Sequence, residues 1–121
     1  MDDAAALTKD NRRMTLNIAF NYGGRAEIID AVRQLVDDGV TANQVSESTL
    51  RARLYHPEIP DPDLVIRTSG EFRISNFLLW EMAYSELYYS EVLWPDFRRE
   101  DLYDAVSEFQ RRERRFGGVD Q

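Results

Sequence analysis

Short apolar runs alternate along this chain with stretches whose apolar residues recur at helical spacing. Residues 15–20 (TLNIAF) form a β-prone run that leads into the glycine turn NYGG. Residues 64–66 (LVI) lie between a proline-rich loop and Gly70, and residues 87–94 (LYYSEVLW) precede a turn at Pro95. Short apolar runs bounded by glycine and proline are typical of strands. The pattern therefore predicts about three strands.

The same pattern predicts about four helices. The first ends at Gly39 and carries five apolar residues at helical spacing, Ile28, Ile29, Val32, Leu35 and Val36. A shorter helix begins near Ser46. Residues 76–84 are apolar on most sides, as in a helix packed within a protein, and residues 98–115 form an amphipathic last helix.

Strands that alternate with helices indicate an α/β fold, a parallel sheet flanked by helices. Residues 15–20 lack a polar face, which is typical of a central strand covered on both sides. The polar residues before it supply no neighbouring strand, and an apolar strand on an open edge favours aggregation. We therefore interpret residues 1–121 as one partial domain, with residues 1–14 as the remnant of a preceding helix or loop.

Composition narrows the classes of function. The chain has no cysteine, which excludes disulfides, thiolate zinc sites and cysteine nucleophiles. Its net charge of -7 argues against a nucleic-acid partner, because phosphates select basic surfaces. No apolar run approaches the roughly 20 residues of a membrane span, and the N-terminus does not resemble a signal peptide. We expect a cytoplasmic protein.

A candidate anion site follows the second predicted strand. Arg67 ends this strand, residues 68–70 (TSG) form a tight loop, and Arg73 brings a second guanidinium. Ligands of parallel sheets bind at the carboxyl ends of the strands. Ser75 directly precedes a predicted helix, whose free amides can bind an anion, and Glu86 follows that helix as a candidate oxygen ligand for magnesium on the same rim.

A purely structural interpretation of these residues is equally compatible with their spacing. Arg67 and Arg73 can form ion pairs with Glu71, Ser75 can act only as a helix N-cap, and Glu86 can be solvated. Spacing alone does not decide between a phosphate site and an internal cluster of ion pairs.

Several ordered blocks carry a family resemblance: IAFNYGGRAEI, DLVIRTSGEFRISNFLLWEMAYSEL, VLWPDF and the closing RRFGG. From about residue 16 to residue 118, the chain resembles the C-terminal half of the cis-prenyltransferases, the family of undecaprenyl diphosphate synthases and related Z-isoprenyl diphosphate synthases. The resemblance implies a magnesium-dependent dimeric transferase that condenses isopentenyl diphosphate with an allylic diphosphate to give a cis-polyprenyl diphosphate.

The resemblance also implies roles for individual residues. Arg67, Arg73 and Ser75 match the residues that hold the diphosphate of isopentenyl diphosphate, and Glu86 matches the carboxylate associated with magnesium. Arg115 and Gly117 match an RxG element that completes the active site of a neighbouring subunit. The implied partner is a second copy of the chain or a complete synthase subunit. A lipid product that partitions into the membrane would place the protein at the inner face of the plasma membrane.

The chain departs from the family pattern in three places. The first family motif, Asp-Gly-Asn-Gly-Arg-Trp, does not occur in the sequence, so the catalytic aspartate is missing and we expect the isolated chain to be inactive. Phe72 stands where many members have a polar residue, and Ser69 where many have glycine. The alternative function is that of a non-catalytic accessory subunit, or an inactive fragment, that contributes its RxG element to a partner.

Overall fold

In the part of the chain that the structure describes, the sheet consists of two parallel strands, β1 (Leu64–Arg67) and β2 (Glu86–Tyr89). Their register pairs Leu64 with Glu86 and Arg67 with Tyr89. The structure, a computed structural model, describes residues 2–112. Within this range four α-helices accompany the sheet: α1 (Asp2–Thr8), α2 (Gly24–Asp37), α3 (Glu47–Arg51) and α4 (Arg99–Arg111). The parallel strand pair with its helices confirms the predicted α/β class.

Helix α2 forms where it was predicted but buries a different face. It ends before Gly39, whose φ of 70° suits a residue without a side chain. Its buried residues recur every fourth position, Glu27, Ala31 and Leu35, whereas Ile29, Val32 and Val36 are exposed. The apolar face predicted from the sequence therefore overlaps only in part with the face that α2 buries.

Helix α3 confirms the second predicted helix. Ser46 is its N-cap, because its hydroxyl oxygen accepts a hydrogen bond of 3.2 Å from the backbone amide of Thr49. The chain then turns so that Leu54 is 5% exposed. Leu54, Ala31 and Leu35 are among the most buried apolar residues, which places the core of this half between α2 and α3.

The predicted strand at residues 15–20 is wrong for this structure. The side chains of Leu16, Ile18 and Phe20 are 75%, 51% and 74% exposed. None of residues 12–21 forms a hydrogen bond with another described residue. A strand exists only through pairing with a neighbour, and within residues 2–112 the two strands that form pair with each other. High β propensity alone therefore does not produce a strand here.

The predicted helix at residues 76–84 is also wrong, because the backbone there is a series of turns. Ser75, Asn76 and Leu78 have φ values of 55°, 64° and 42°, which a right-handed helix cannot contain. The bonds of Asn76 explain the conformation. Its carbonyl accepts from the amide of Gly24 at 2.8 Å, and its side-chain oxygen accepts from the amide of Arg25 at 2.9 Å. Asn76 therefore binds the beginning of α2.

The C-terminal part follows the prediction more closely. Strand β2 is shorter than the predicted residues 87–94, and the segment Trp94–Asp96 is a 3-10 turn. Helix α4 follows, with Ala105 fully buried and Leu102 exposed. The predicted continuation of this helix to residue 115 lies outside the described residues. Among the helices of residues 2–112, none combines the length and the apolar character that crossing a membrane requires.

Candidate functional site

The turn after β1 is tied to the segment after β2. The amide of Ser69 donates to the carbonyl of Val92 at 2.8 Å, and the amide of Gly70 donates to the carbonyl of Ser90 at 2.9 Å. The amide of Ser90 in turn donates to the carbonyl of Arg67 at 2.8 Å. These bonds fix the backbone on both sides of the turn, so the direction in which Arg67 leaves the sheet is fixed as well.

Two residues of this turn have left-handed backbone. Ser69 has a φ of 70° and Gly70 a φ of 65°. A positive φ costs a residue with a side chain about 1 kcal/mol or more, whereas glycine adopts it freely. Ser69 therefore carries a backbone cost that Gly70 avoids.

Arg67 and Arg73 converge on a single carboxylate. The Nη2 atom of Arg67 donates to Oε2 of Glu71, and the Nη2 atom of Arg73 donates to Oε1 of the same side chain. Each oxygen thus serves one guanidinium. The structure therefore brings the two predicted anion-binding arginines together, and it also contains the ion pairs of the structural interpretation.

The charges of this cluster keep Glu71 ionised. The hydrogen bond from Arg67, together with the charges of Arg73 and Arg67, lowers the pKa of the Glu71 carboxyl below its ordinary value. The side chain of Glu71 is about one-third exposed, so water reaches the cluster. The exposed fraction of Arg67 is similar, whereas that of Arg73 is 63%. Arg67 is therefore the more fixed of the two cations.

An apolar cleft of about 170 Å³ opens beside the two arginines. Apart from Arg67 and Arg73, it is lined by Val65, Ile66, Ile74, Phe77, Met82, Leu87 and Tyr89. Phe72 lies at this end of β2, with its ring 4.9 Å from that of Tyr89. The site thus offers positive charge next to a small hydrophobic surface, an arrangement that suits an anion with a short hydrocarbon tail.

Ser75 differs from the prediction in its local structure. No helix begins after it, so the free helix amides expected at this position do not exist in the structure. Its backbone is left-handed and its side chain is exposed, which is compatible with a turn but not with an N-cap. Its proximity in sequence to Arg73 remains, and its role in holding a diphosphate stays a prediction.

Glu86 lies at the other end of the strand pair from Arg67. It is the first residue of β2 and is paired in register with Leu64, whereas Arg67 ends β1. At roughly 3.3 Å per residue, the two backbone positions are about 10 Å apart along the strands. The expectation that Glu86 returns to the rim of Arg67 is therefore wrong, because the parallel register places it at the opposite edge.

The carboxylate of Glu86 has a cationic partner. Oε2 of Glu86 accepts from Nη1 of Arg112 at 2.9 Å, and the same nitrogen donates to the carbonyl of Leu87 at 3.0 Å. The hydrogen bond to Glu86 and the charge of that carboxylate, followed by the contact with Glu108, raise the pKa of the Arg112 guanidinium. Residues 2–112 contain no group of three or more histidine, aspartate or glutamate side chains placed to hold a metal ion. The role of Glu86 as a magnesium ligand stays a prediction.

A buried carboxylate on α2 was not predicted from the sequence. Glu27 is 2% exposed, and its Oε1 accepts from the amide of Tyr55 at 2.9 Å while its Oε2 accepts from the hydroxyl of Tyr22. Burial, the hydrogen bond to Glu27 and nearby negative charge raise the pKa of the Tyr22 phenol. The helical spacing of Glu27 with Ala31 and Leu35 was the available signal, because these three residues share one face.

Glu27 also lines a cavity of about 250 Å³, which is bounded by residues 17–22, by the loop around Pro60 and by Glu81. One oxygen of Glu81, Oε2, is buried and has no hydrogen-bond partner among the described residues. Burial, followed by the charge of Glu27, raises the pKa of Glu81 above its ordinary value. This cavity holds negative charge, so it does not suit a diphosphate.

The RxG residues Arg115 and Gly117 lie outside the described residues. The structure therefore does not test their predicted contribution to a neighbouring subunit. The accessory role that depends on them stays a prediction.

Comparison with known proteins identifies the family of this chain. The family profile described as "Putative undecaprenyl diphosphate synthase" matches residues 1–117. An isoprenyl transferase of Fusobacterium nucleatum is 58% identical over 93% of this chain and 47% of its own length. An isoprenyl transferase of Thermotoga maritima is 56% identical over 93% of this chain and 49% of its own length. The chain thus spans about half the length of the curated relatives it matches.

A solved structure also resembles this chain over about half of its own length. Lavandulyl diphosphate synthase from Lavandula x intermedia, crystallised in complex with dimethylallyl diphosphate, superimposes with a TM-score of 0.85 at 36% identity. The match covers 97% of this chain and 52% of that one. Since the profile covers nearly the whole sequence and the fold matches as well, the chain belongs to the prenyltransferase family of the undecaprenyl diphosphate synthases.

Proposed function

We propose that this chain provides the binding site for isopentenyl diphosphate in a cis-prenyltransferase. The observation that carries the proposal is the convergence of Arg67 and Arg73 on one carboxylate, which shows that both guanidiniums reach a common anion. Guanidinium groups bind phosphate oxygens through several N–H donors in a fixed plane. Two of them on one anion are well suited to a diphosphate.

The hydrophobic part of the substrate fits the same location. The cleft beside the arginines is small and mostly apolar, so an isopentenyl group can lie against Ile74, Phe77 and Met82 while its diphosphate binds Arg67 and Arg73. The crystallised lavandulyl diphosphate synthase binds a prenyl diphosphate on the same fold. This supports the assignment of the substrate class to the present chain.

In the proposed reaction, the terminal alkene carbon of isopentenyl diphosphate bonds to the allylic carbon of the second substrate. The allylic C–O bond breaks, diphosphate leaves with the electron pair, and the proton lost from the isopentenyl unit passes to the released diphosphate. The new double bond is cis. Arg67 and Arg73 contribute by holding the isopentenyl substrate in place, and such positioning lowers the barrier by removing motional freedom before the reaction. Ser75 is proposed to add a hydroxyl contact to the same diphosphate.

Calorimetric titration of the 121-residue chain with isopentenyl diphosphate tests the proposal. Replacing a charge-assisted hydrogen bond to a phosphate typically costs about tenfold or more in affinity. We expect Arg67→Ala to weaken binding by about that factor, and Arg73→Ala to weaken it less because its side chain is more exposed.

Arg33→Ala is the matched control, because it removes the same charge from an exposed side chain whose ion-pair partner is Asp30. It should leave the affinity within about twofold of the original, as expected for an exposed ion pair. Equal losses in Arg33→Ala and Arg67→Ala would show that only net charge matters, and the proposed site would then be rejected.

A further inference from the structure

The position of Glu71 is fixed by its backbone and not by its side chain. It directly follows the turn that the amides of Ser69 and Gly70 hold against the chain after β2. Its side chain, about one-third exposed, has no bond to the protein other than those from Arg67 and Arg73 among the described residues. The carboxylate can therefore rotate away into water without disturbing the turn.

The carboxylate uses few of the donors available to it. Each guanidinium carries five N–H groups, and only Nη2 of Arg67 and Nη2 of Arg73 donate to Glu71. A carboxylate has two oxygens and a single charge, whereas a diphosphate has more oxygens and more charge. A diphosphate in the same place can therefore form more hydrogen bonds with the same pair of cations.

We propose that the Glu71 carboxylate occupies the anion position between Arg67 and Arg73 in the free protein and that a diphosphate binds by displacing it. The inference rests on the proposed function and adds to it a residue that competes with the substrate. The low pKa of Glu71 supports it, because the competitor is then ionised at neutral pH.

An internal competitor lowers the apparent affinity of the site for every anion that needs both guanidiniums, and it does so by the same factor for each. The apparent dissociation constant equals the intrinsic one divided by the fraction of molecules whose site is open. Anions that bind weakly, such as orthophosphate and small carboxylates, are thereby kept off the site at low concentrations. A diphosphate binds tightly enough to remain bound. Glu71 thus sets how much affinity an anion needs in order to occupy the site, without changing the relative affinities of different anions.

Removal of the competitor provides the test. We expect Glu71→Gln to bind inorganic pyrophosphate about three- to tenfold more tightly than the original chain in calorimetric titration. The factor for isopentenyl diphosphate should be the same, because both ligands displace the same carboxylate.

Two further variants separate displacement from a general effect of charge. Glu71→Asp keeps the charge but is one methylene shorter, so it cannot reach both guanidiniums at once and should tighten binding by part of the same factor. Glu58→Gln removes an exposed carboxylate whose ion-pair partner is His56, and it should leave the affinity unchanged. If Glu71→Gln binds pyrophosphate more tightly but Glu71→Asp binds it with unchanged affinity, the carboxylate acts only through the repulsion of its charge. That result would overturn the inference.

A direct measurement follows the carboxyl itself. In the free chain, carbon NMR of labelled Glu71 should report a pKa below the ordinary value, and saturation with pyrophosphate should raise it because the guanidinium contacts are lost. An unchanged pKa on saturation would contradict displacement. If Arg67→Ala weakens binding as expected but Glu71→Gln does not tighten it, the proposed function stands and this inference fails. If no variant binds pyrophosphate, both are rejected.

Discussion

Three carboxylates of this chain show how the surroundings of a side chain decide its chemistry. Glu71 lies between two guanidiniums with its side chain about one-third exposed, and its pKa is lowered. Glu27 is almost fully buried but accepts hydrogen bonds from Tyr22 and Tyr55. Glu81 has one buried oxygen without a partner among the described residues, and its pKa is raised. The sequence alone does not distinguish these three environments.

Glu81 leads to a prediction about pH. A carboxyl whose pKa is raised on folding stabilises the folded state below its unfolded pKa of 4.5, and this contribution is lost as the pH rises through the folded pKa. Glu81→Gln removes this pH-dependent contribution, because the amide does not titrate. We therefore expect the free energy of unfolding of the variant, relative to the original chain, to increase as the pH rises from about 4.5 to 7 in urea titrations.

Glu58→Gln is the control with the opposite sign. The pKa of Glu58 is lowered in the folded chain, so its contribution is present above the unfolded pKa and its removal should not stabilise the chain at neutral pH. A difference between Glu81→Gln and the original chain that is independent of pH would contradict the assigned environment of Glu81.

At the scale of elements, the site depends on a connection between two segments distant in sequence. Asn76 binds the backbone amides of Gly24 and Arg25 and so joins the beginning of α2 to the segment after Arg73. The close approach needs glycine, because a Cβ atom on Gly24 would lie 2.9 Å from the backbone nitrogen of Leu79. The NYGG turn therefore serves packing at this point.

We expect Gly24→Ala to destabilise the chain by about 1–3 kcal/mol, since the new methyl group meets backbone that cannot move freely. The free energy of unfolding in urea measures the loss. Gly23→Ala is the comparison, because its methyl group would meet the end of the Asn76 side chain at 2.9 Å, and that flexible side chain can shift. If Gly24→Ala lowers the free energy of unfolding no more than Gly23→Ala does, the proposed contact is contradicted.

At the scale of the whole molecule, large apolar residues lie on the surface. Leu16, Ile18 and Phe20 are exposed in a segment without hydrogen bonds to other described residues, and Ile29 and Val36 are exposed on α2. Exposed apolar surface of this kind favours association. An unpaired, β-prone segment adds free backbone donors and acceptors to which another chain can pair.

We therefore expect the chain to self-associate in a concentration-dependent manner, as measured by sedimentation velocity or light scattering. The double variant Ile18→Lys, Phe20→Lys should reduce the mean mass at a given concentration. Tyr103→Lys, at an exposed position of α4, is the control and should leave it unchanged. A chain that is monomeric at all concentrations would contradict this prediction.

Local patterns predicted the elements that are stabilised by nearby contacts. β1, α3 and the core of α4 lie where the pattern placed them, because hydrophobic spacing, caps and prolines act over a few residues. The strand at residues 15–20 and the helix at residues 76–84 were wrong. Strand formation needs a partner, and the backbone bonds of Asn76 outweigh the apolar character of its neighbours.

The site was predictable in part for the same reason. Arg67 and Arg73 flank one tight turn, so their proximity follows from the sequence, and the family follows from the ordered motifs. The position of Glu86 did not follow, because the register of two strands about 20 residues apart decides which rim a residue joins.

The sequence by itself determined the family, the α/β class and the pair of arginines around the turn, because these depend on short segments and their order. Only the tertiary structure decided that Glu71 bridges the two guanidiniums, that Glu86 binds Arg112 at the far edge and that Glu27 is buried. These contacts depend on how far each side chain reaches in space and on which charges lie around it, and neither is encoded in local spacing.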